Sequence, residues 1–209
     1  MRIALSKGRL QTAIIACLSR AGVSIVFRHE RDYHPVVDPS WMRATLIKPR
    51  AIPQNLSLGH FDLGFCGLDV IRDSSVFGIR DLGSLPIGAV RIVAAVPASK
   101  VNILRDPPNR PFVIATEYPN IADEWAYRRG LAHITVNTYG GTEAYARDLA
   151  DVVIDCTETG ATLAANDLVI VDELFTSTVR IVASEAALCR TETNTRVLQL
   201  RRLLMEGVT

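Results

Sequence analysis

The chain has 209 residues, 48% hydrophobic and 22% charged, which is enough apolar material for one large domain or two lobes of about 100 residues and too little polar bias for disorder. With 23 basic and 22 acidic residues the formal net charge is +1, which excludes an extended cationic footprint for nucleic acid or an anionic membrane but leaves room for a local cationic pocket. The most apolar stretch, Ala89 to Ala98, is broken by Arg91 and Pro97 and falls far short of the roughly 20 residues of a membrane span. The first residues run into Lys7 and Arg9 without the long apolar core of an export signal, so a cytoplasmic protein is expected. Cys17, Cys66, Cys156 and Cys189 are widely separated, and His29, His34, His60 and His133 show no ligand spacing. Neither a disulfide framework nor a protein-built metal site is therefore predicted.

Short β-branched runs alternate with helical patterns, the signature of an α/β protein with parallel or mixed sheets. Arg2 to Leu5 predicts a strand and Lys7-Gly8-Arg9 the turn after it. Leu10, Ile14, Cys17, Leu18 and Ala21 mark one face of a helix that Gly22 stops. Ala44 to Ile47 predicts a strand, Pro49 to Leu58 a helix ended by Gly59, Phe61 to Cys66 a strand, and Gly67 the start of a further helix. Ala89 to Val96 predicts a long strand, and the proline-rich Pro97 to Pro111 a connection between lobes. The alternation then restarts: strand Phe112 to Thr116, helix Pro119 to Arg129 with proline in its first turn, strand His133 to Asn137, and a short helix near Glu143 to Leu149. A strand from Asp151 to Asp155 and a helix opening near Gly160 follow. Two strand-like runs, Leu168 to Phe175 and Val179 to Ala183, lead into a final helix from about Thr195 to Glu206. The expected division is a discontinuous first lobe, 1–89 with 176–209, and a second lobe, 90–175. No internal repeat is evident.

The strongest local signal is the strand Asp151-Val-Val-Ile-Asp155 running through Cys156, Thr157 and Glu158 into Thr159-Gly160-Ala161-Thr162-Leu163. A glycine there admits close backbone approach, the free N–H groups at a helix start point at an anion, and the hydroxyls of Thr159 and Thr162 add donors. Asp155 and Glu158 repel phosphate but accept hydrogen bonds from sugar hydroxyls, so the segment suits a ribose 5-phosphate. The alternative is that Thr157 and Thr159 cap the helix. Ser6-Lys7-Gly8-Arg9 follows the first strand, where open α/β sheets bind ligands, and offers cations either to a polyphosphate or to solvent. Arg28-His29-Glu30-Arg31 adds nearby positive charge or a mixed-charge surface. Gly59 to Asp69 brackets a short strand with glycines and acids. Tyr139-Gly140-Gly141-Thr142-Glu143 reads either as a nucleotide loop or as a turn capped by Thr142.

Taken together, these segments resemble the ATP phosphoribosyltransferase family, which catalyses the first step of histidine biosynthesis. The resemblance is carried by Ala4-Leu-Ser-Lys-Gly-Arg-Leu10, Lys48-Pro-Arg-Ala-Ile-Pro53, Asp62-Leu-Gly-Phe-Cys-Gly-Leu-Asp69, Glu117-Tyr-Pro-Asn120, Gly140-Gly-Thr-Glu-Ala144 and Glu158-Thr-Gly-Ala-Thr-Leu163. It implies two lobes of the type II periplasmic-binding-protein kind with mixed sheets and an interlobe cleft. It also implies Mg²⁺ and transfer of ribose 5-phosphate from 5-phosphoribosyl 1-diphosphate (PRPP) to ring nitrogen 1 of the adenine of ATP. The chain length implies the family's short form, which works with a regulatory subunit resembling histidyl-tRNA synthetase in a hetero-octamer. Carried over by position, Asp155 meets the ribose hydroxyls, and Glu158, Thr159, Gly160, Ala161, Thr162 and Leu163 cradle the 5-phosphate. Arg9 and Arg31 face the leaving diphosphate as catalytic cations, and Lys7, Gly8, Asp69, Thr142 and Glu143 bind ATP. The chain departs from the family pattern at Ala51, where an acid is usual, at Asp148 and Asp167, where glycine is usual, and at Cys156, where the position is aliphatic. A related phosphoribosyltransferase with another acceptor and a non-catalytic binding module are the alternatives.

Overall fold

In the computed structural model, which describes residues 1–206, the chain runs as follows. It opens with β1 (Arg2–Ser6), α1 (Gln11–Arg20), β2 (Ser24–Val26), β3 (Val36–Asp38) and β4 (Arg43–Ile47). A 3-10 turn at Pro49–Ala51 leads into α2 (Ile52–Ser57), β5 (Leu63–Gly67) and α3 (Leu68–Ser74). Next come β6 (Ile79–Pro97), β7 (Phe112–Thr116), α4 (Pro119–Arg128) and β8 (His133–Asn137). A second 3-10 turn, Thr142–Tyr145, precedes β9 (Val152–Thr157), α5 (Ala161–Ala165), β10 (Leu168–Ser184), α6 (Glu185–Leu188) and α7 (Thr191–Glu206). The chain divides into two units, Met1–Gly88 with the segment from Thr178 onward, and Ala89–Ser177. Among the described residues no helix is long and apolar enough to cross a membrane.

In the first unit β1 lies between β4 and β5 in parallel, and the C-terminal half of β10 pairs antiparallel with β5. Strand alternation sorts its side chains between two helical layers. Ile3, Leu5, Leu63 and Phe65 pack with Ile14, Cys17 and Leu18 of α1 and Val197, Leu200 and Leu204 of α7. Ala4, Cys66 and Val182 pack with Ile52 and Leu56 of α2 and Val70 of α3. The buried positions of α7 fall at i, i+3 and i+7, the spacing that turns one stripe of a helix toward a sheet. Gly64 lets α2 sit close, since a Cβ there would lie 2.6 Å from Ile52 Cγ2.

The second unit uses the same plan. β7 lies between β8 and β9 in parallel, and the C-terminal half of β6 pairs antiparallel with β9. Ile92, Ala94, Ile114, Val152 and Ile154 face Ile121, Ala122 and Trp125 of α4. Val93, Ala95, Ala115 and Val153 face Leu163 of α5 and Ala146. The repeat extends to the strand starts. Asp62 donates its N–H to Arg2 O at 2.8 Å and its Oδ2 accepts the Arg2 N–H at 2.6 Å. Asp151 does the same with Val113, at 2.8 Å and 2.9 Å. A topological repeat therefore exists where the sequence suggested none.

Several boundaries differ from expectation. Pro97 to Pro111, expected to join two lobes, lies inside the second unit, and the chain passes between units on β6 and β10 instead. β6 begins at Ile79 rather than Ala89, because Gly83, Pro86 and Gly88 break the apolar pattern of its first half. β10 is one strand where two were expected. The β2–β3 hairpin was missed since its three-residue strands are largely exposed and carry no alternation. The helix expected over Glu143 to Leu149 is the short 3-10 turn, and the last helix starts at Thr191 rather than Thr195.

At the end of β10, Ser184 Oγ is buried and lacks a hydrogen-bond partner. An unpaired buried hydroxyl contributes nothing to the folded state and loses its hydration, so Ser184→Ala should leave stability unchanged or raise it by up to about 1 kcal/mol. The urea unfolding midpoint measures this, and a clear loss would mean the hydroxyl is bonded in solution.

Candidate active site

In both units the chain leaves the parallel strands at their carboxyl ends into loops that carry polar side chains, the usual ligand position in open α/β sheets. In the second unit three such loops carry the acids and hydroxyls: Glu117 after β7, Thr138 to Glu143 after β8, and Asp155 to Thr162 at the end of β9. Alternation explains the facing. Val153, Asp155 and Thr157 share the face of β9 that meets α5, and Ile154 turns toward α4. Asp155 thus occupies a position that two residues earlier is pure core.

Asp155 is half-buried, and its Oδ1 accepts the Cys156 N–H at 2.7 Å. Burial first, then the neighbouring Glu143 and Glu117 carboxylates, push its pKa up to about 6, against hydrogen bonds from the Cys156 N–H and the Thr142 hydroxyl. Beyond it the chain turns tightly. The Gly160 N–H donates to Thr157 Oγ1 at 2.8 Å, and the Ala161 N–H to Thr159 Oγ1 at 3.3 Å. Gly160 takes φ +83, a left-handed conformation natural to glycine. Thr157 and Thr159 therefore do cap this turn. The Gly160 carbonyl accepts the first α5 bond, from Ala164 at 3.0 Å, and Leu163 anchors the helix in the core. Glu158, Thr159, Ala161 and Thr162 are exposed around the turn.

Sequence reasoning passed over Arg91. It pairs in register with Thr157, and its Nη2 lies 3.9 Å from where a Cβ on Gly160 would stand. Its Nη1 donates to Glu173 at 3.2 Å, an exposed ion pair of small energetic weight. The available signal was a cation interrupting an otherwise apolar strand. Thr142, expected to bind ATP, is 1% exposed, with its hydroxyl bonded to Thr138 Oγ1 at 2.9 Å. Glu143 sits beside it on the same turn, half-buried.

In the first unit, Lys7, Gly8 and Arg9 follow β1 and are exposed. Gly8 takes φ +101 and its carbonyl accepts the Gln11 N–H at 2.9 Å, which opens α1. Lys7 Nζ donates to Tyr33 Oη at 2.9 Å and lies over the ring, 4.5 Å from its centroid, which lowers the phenol pKa. Tyr33 belongs to the loop that carries the exposed Arg31. Asp32 braces that loop by accepting both Arg28 guanidinium N–H bonds at 2.8 Å and the backbone N–H groups of Arg28 and His34 at 3.1 Å. The Arg28 hydrogen bond holds the Asp32 carboxyl well below the ordinary carboxylate range. Asp69 is buried in the first turn of α3. Among the described residues no three His, Cys, Asp or Glu side chains gather as a metal site.

The family profile described as HisG, ATP phosphoribosyltransferase, matches residues 48–205. An ATP phosphoribosyltransferase of Chlorobium phaeobacteroides is 33% identical over 192 residues, covering 90% of this chain and 64% of the relative. One from Haloarcula marismortui is 36% identical over 191 residues, covering 88% and 66%. The chain thus spans less than two thirds of the length of these relatives. The ATP phosphoribosyl transferase (HisG:HisZ) complex from Thermotoga maritima contains a chain that superposes with a TM-score of 0.84 at 27% identity, over 100% of this chain and 97% of that one. The alkanesulfonate-binding protein SsuA of Xanthomonas axonopodis pv. citri matches with a TM-score of 0.55 at 14% identity, over 98% of this chain and 72% of that one. The latter likeness is one of fold alone, and that fold is the type II periplasmic-binding-protein kind. With the profile covering most of the chain and these relatives above 30% identity, the chain belongs to the ATP phosphoribosyltransferase family.

Proposed function

We propose that this chain is the catalytic subunit of an ATP phosphoribosyltransferase, joining ring nitrogen 1 of the adenine of ATP to C1 of PRPP with release of diphosphate. The observation that carries this is the end of β9, where the half-buried Asp155 carboxylate stands beside a capped, glycine-centred turn. A carboxylate accepts hydrogen bonds from two vicinal ribose hydroxyls, and first-turn N–H groups with threonine hydroxyls suit a terminal phosphate. In this scheme Glu158, Thr159, Gly160, Ala161, Thr162 and Leu163 form the 5-phosphate cradle.

The attacking nitrogen has a lone pair and no proton, so the new C–N bond forms without a general base. The C1–O bond breaks with its electrons leaving on the diphosphate. What the protein supplies is orientation of the sugar and positive charge toward the leaving group. Arg9 and Arg31 fill the second role here, and Lys7, Gly8, Asp69 and Glu143 serve the acceptor nucleotide. Mg²⁺ enters as part of the substrates, bound to their polyphosphate oxygens, where it offsets charge. We assign the chain a regulatory partner similar to the second component of the Thermotoga complex, in a hetero-octamer, and a cytoplasmic location.

Diphosphate release from PRPP, ATP and Mg²⁺, followed with and without a co-expressed regulatory subunit, tests the assignment. ATP-dependent release that Arg9→Ala lowers by at least about 100-fold is expected, as for loss of transition-state charge stabilisation. No release under either condition, or release equal with another purine in place of ATP, would refute it.

A further inference from the structure

Resting on the assignment of the β9 end to the donor sugar, we propose that Arg91 is a substrate-binding residue whose guanidinium grips the 5-phosphate of PRPP. Strand parity carries it there. Arg91, Val93 and Ala95 alternate along β6 on one face, and Val93 and Ala95 pack with Leu163 of α5. The antiparallel register sets Val93 opposite Asp155 and Arg91 opposite Thr157, so the guanidinium emerges on the same face as the carboxylate and the turn that follows it. There Arg91 Nη2 and Ile170 Cδ1 each lie 3.9 Å from where a Cβ on Gly160 would stand.

The first unit marks this as an addition to the shared plan. Asp62 and Asp151 stand just before β5 and β9 in equivalent places, which makes Gly67 the counterpart of Cys156, and their antiparallel partners Val179 and Ile92 counterparts in turn. The residue before Val179 is Thr178, so a threonine stands where the second unit has Arg91, and its Oγ1 lies 2.6 Å from Ser84 Oγ. The turns differ as well. α3 begins at Leu68, directly after β5, whereas Glu158, Thr159 and Gly160 separate β9 from α5. The longer turn and the guanidinium beside it thus occur together, in the second unit.

That conjunction has a chemical reason. Asp155 and Glu158 give this end of β9 two carboxylates, which suit sugar hydroxyls and repel a phosphate dianion. A guanidinium offsets the repulsion and donates in a forked geometry that matches two phosphate oxygens. Glu173 on β10 accepts from Arg91 Nη1 at 3.2 Å, which steadies the guanidinium beside the turn. The two side chains are 36% and 45% exposed, so an arriving phosphate can share the cation. Glu173 is therefore both a support for Arg91 and a rival for it, and its negative charge opposes the phosphate.

The test is calorimetric binding of PRPP to the full chain, with free diphosphate, which lacks the sugar and its 5-phosphate, as the control ligand. Arg91→Gln should weaken PRPP about 10- to 100-fold, the weight of hydrogen bonds between charged groups, and leave diphosphate unchanged. Arg91→Lys, which keeps the charge, should recover part of the loss and serves if the glutamine variant does not fold. Glu173→Gln keeps an acceptor for Arg91 and removes the rival charge, so it should bind PRPP as tightly as wild type or more tightly. The double variant Arg91→Gln with Glu173→Gln should stay weak. Were the ion pair merely structural, Glu173→Gln would be as defective as Arg91→Gln, and that result overturns the proposal. Wild-type affinity in Arg91→Gln or in the double variant, or an equal loss of both ligands, overturns it too, while Asp155→Asn still weakens PRPP. A wild-type chain that binds no PRPP, or binds it equally well after Asp155→Asn, overturns the donor-site assignment instead, and the role of Arg91 with it.

Discussion

Asp155→Asn is expected to stabilise the protein at alkaline pH and, at the same time, to weaken PRPP binding by about 100-fold, the weight of two hydrogen bonds to a charged acceptor. The two effects share one cause. Burial and the Glu143 and Glu117 carboxylates raise the folded-state pKa of Asp155 from 3.8 to about 6. A raised pKa means that the folded state binds the proton more tightly than the unfolded one. The stability tied to that proton is complete below pH about 4 and is lost as pH rises through about 6. Asparagine has no proton to lose, so the variant should match wild type near pH 4. At pH 8 it should exceed wild type by about 1–2 kcal/mol, once partial solvent exposure is allowed for. Urea unfolding at pH 4.5 and pH 8 measures the first effect, and calorimetric titration with PRPP the second. A variant that binds PRPP normally would remove Asp155 from the donor site, and one no more stable at pH 8 would mean that its carboxylate carries no penalty.

The same β9 strand shows why only part of the site could be read from the sequence. A hydrophobic run ending in an acid before Thr-Gly-x-Thr is local, so Asp155 and the turn at Gly160 were visible along the chain. The face that Asp155 takes depends on strand parity, and the course of the chain into the Thr142–Glu143 turn depends on three consecutive left-handed residues, Tyr139, Gly140 and Gly141. A Tyr-Gly-Gly sequence permits that conformation but does not dictate it. Arg91 reaches the turn only through the antiparallel register of β6 with β9, a pairing between residues 66 positions apart. For the fold, strands and helices with strong periodicity were legible. The first half of β6 was not, because its glycines and Pro86 erase the alternation that would reveal it. The repeat between the units escaped notice for a related reason. The inner strands read Leu63-Gly-Phe-Cys-Gly67 and Val152-Val-Ile-Asp-Cys-Thr157, alike in position but sharing almost no side chains.

The residues the repeat does preserve, Asp62 and Asp151, lie at the opposite strand ends from the ligand loops and have the opposite electrostatic character. Asp62 is buried, which by itself raises its pKa, but hydrogen bonds from the Arg2 N–H and guanidinium and from Arg190 outweigh burial and bring it below the ordinary value. Through them it ties the first residue of β1, the start of β5 and the junction of α6 with α7. Its own carbonyl also accepts the Ser184 N–H at 3.1 Å. Asp62→Ala removes one acceptor and leaves three donors with nothing to bond, two of them on half-exposed guanidinium groups that water can partly satisfy. A loss of about 2–4 kcal/mol at pH 7 is therefore expected, below the full cost of breaking a wholly buried pair. The sign with pH is the reverse of that at Asp155. A depressed folded pKa gives stability that is present above the unfolded value of 3.8 and lost as pH falls through the lower folded one. The gap between wild type and Asp62→Ala should therefore be widest at neutral pH and narrow in acid, where wild type loses the same charge. Equal unfolding midpoints at pH 7 would show that β1, β5 and the α6–α7 junction are held by apolar packing alone.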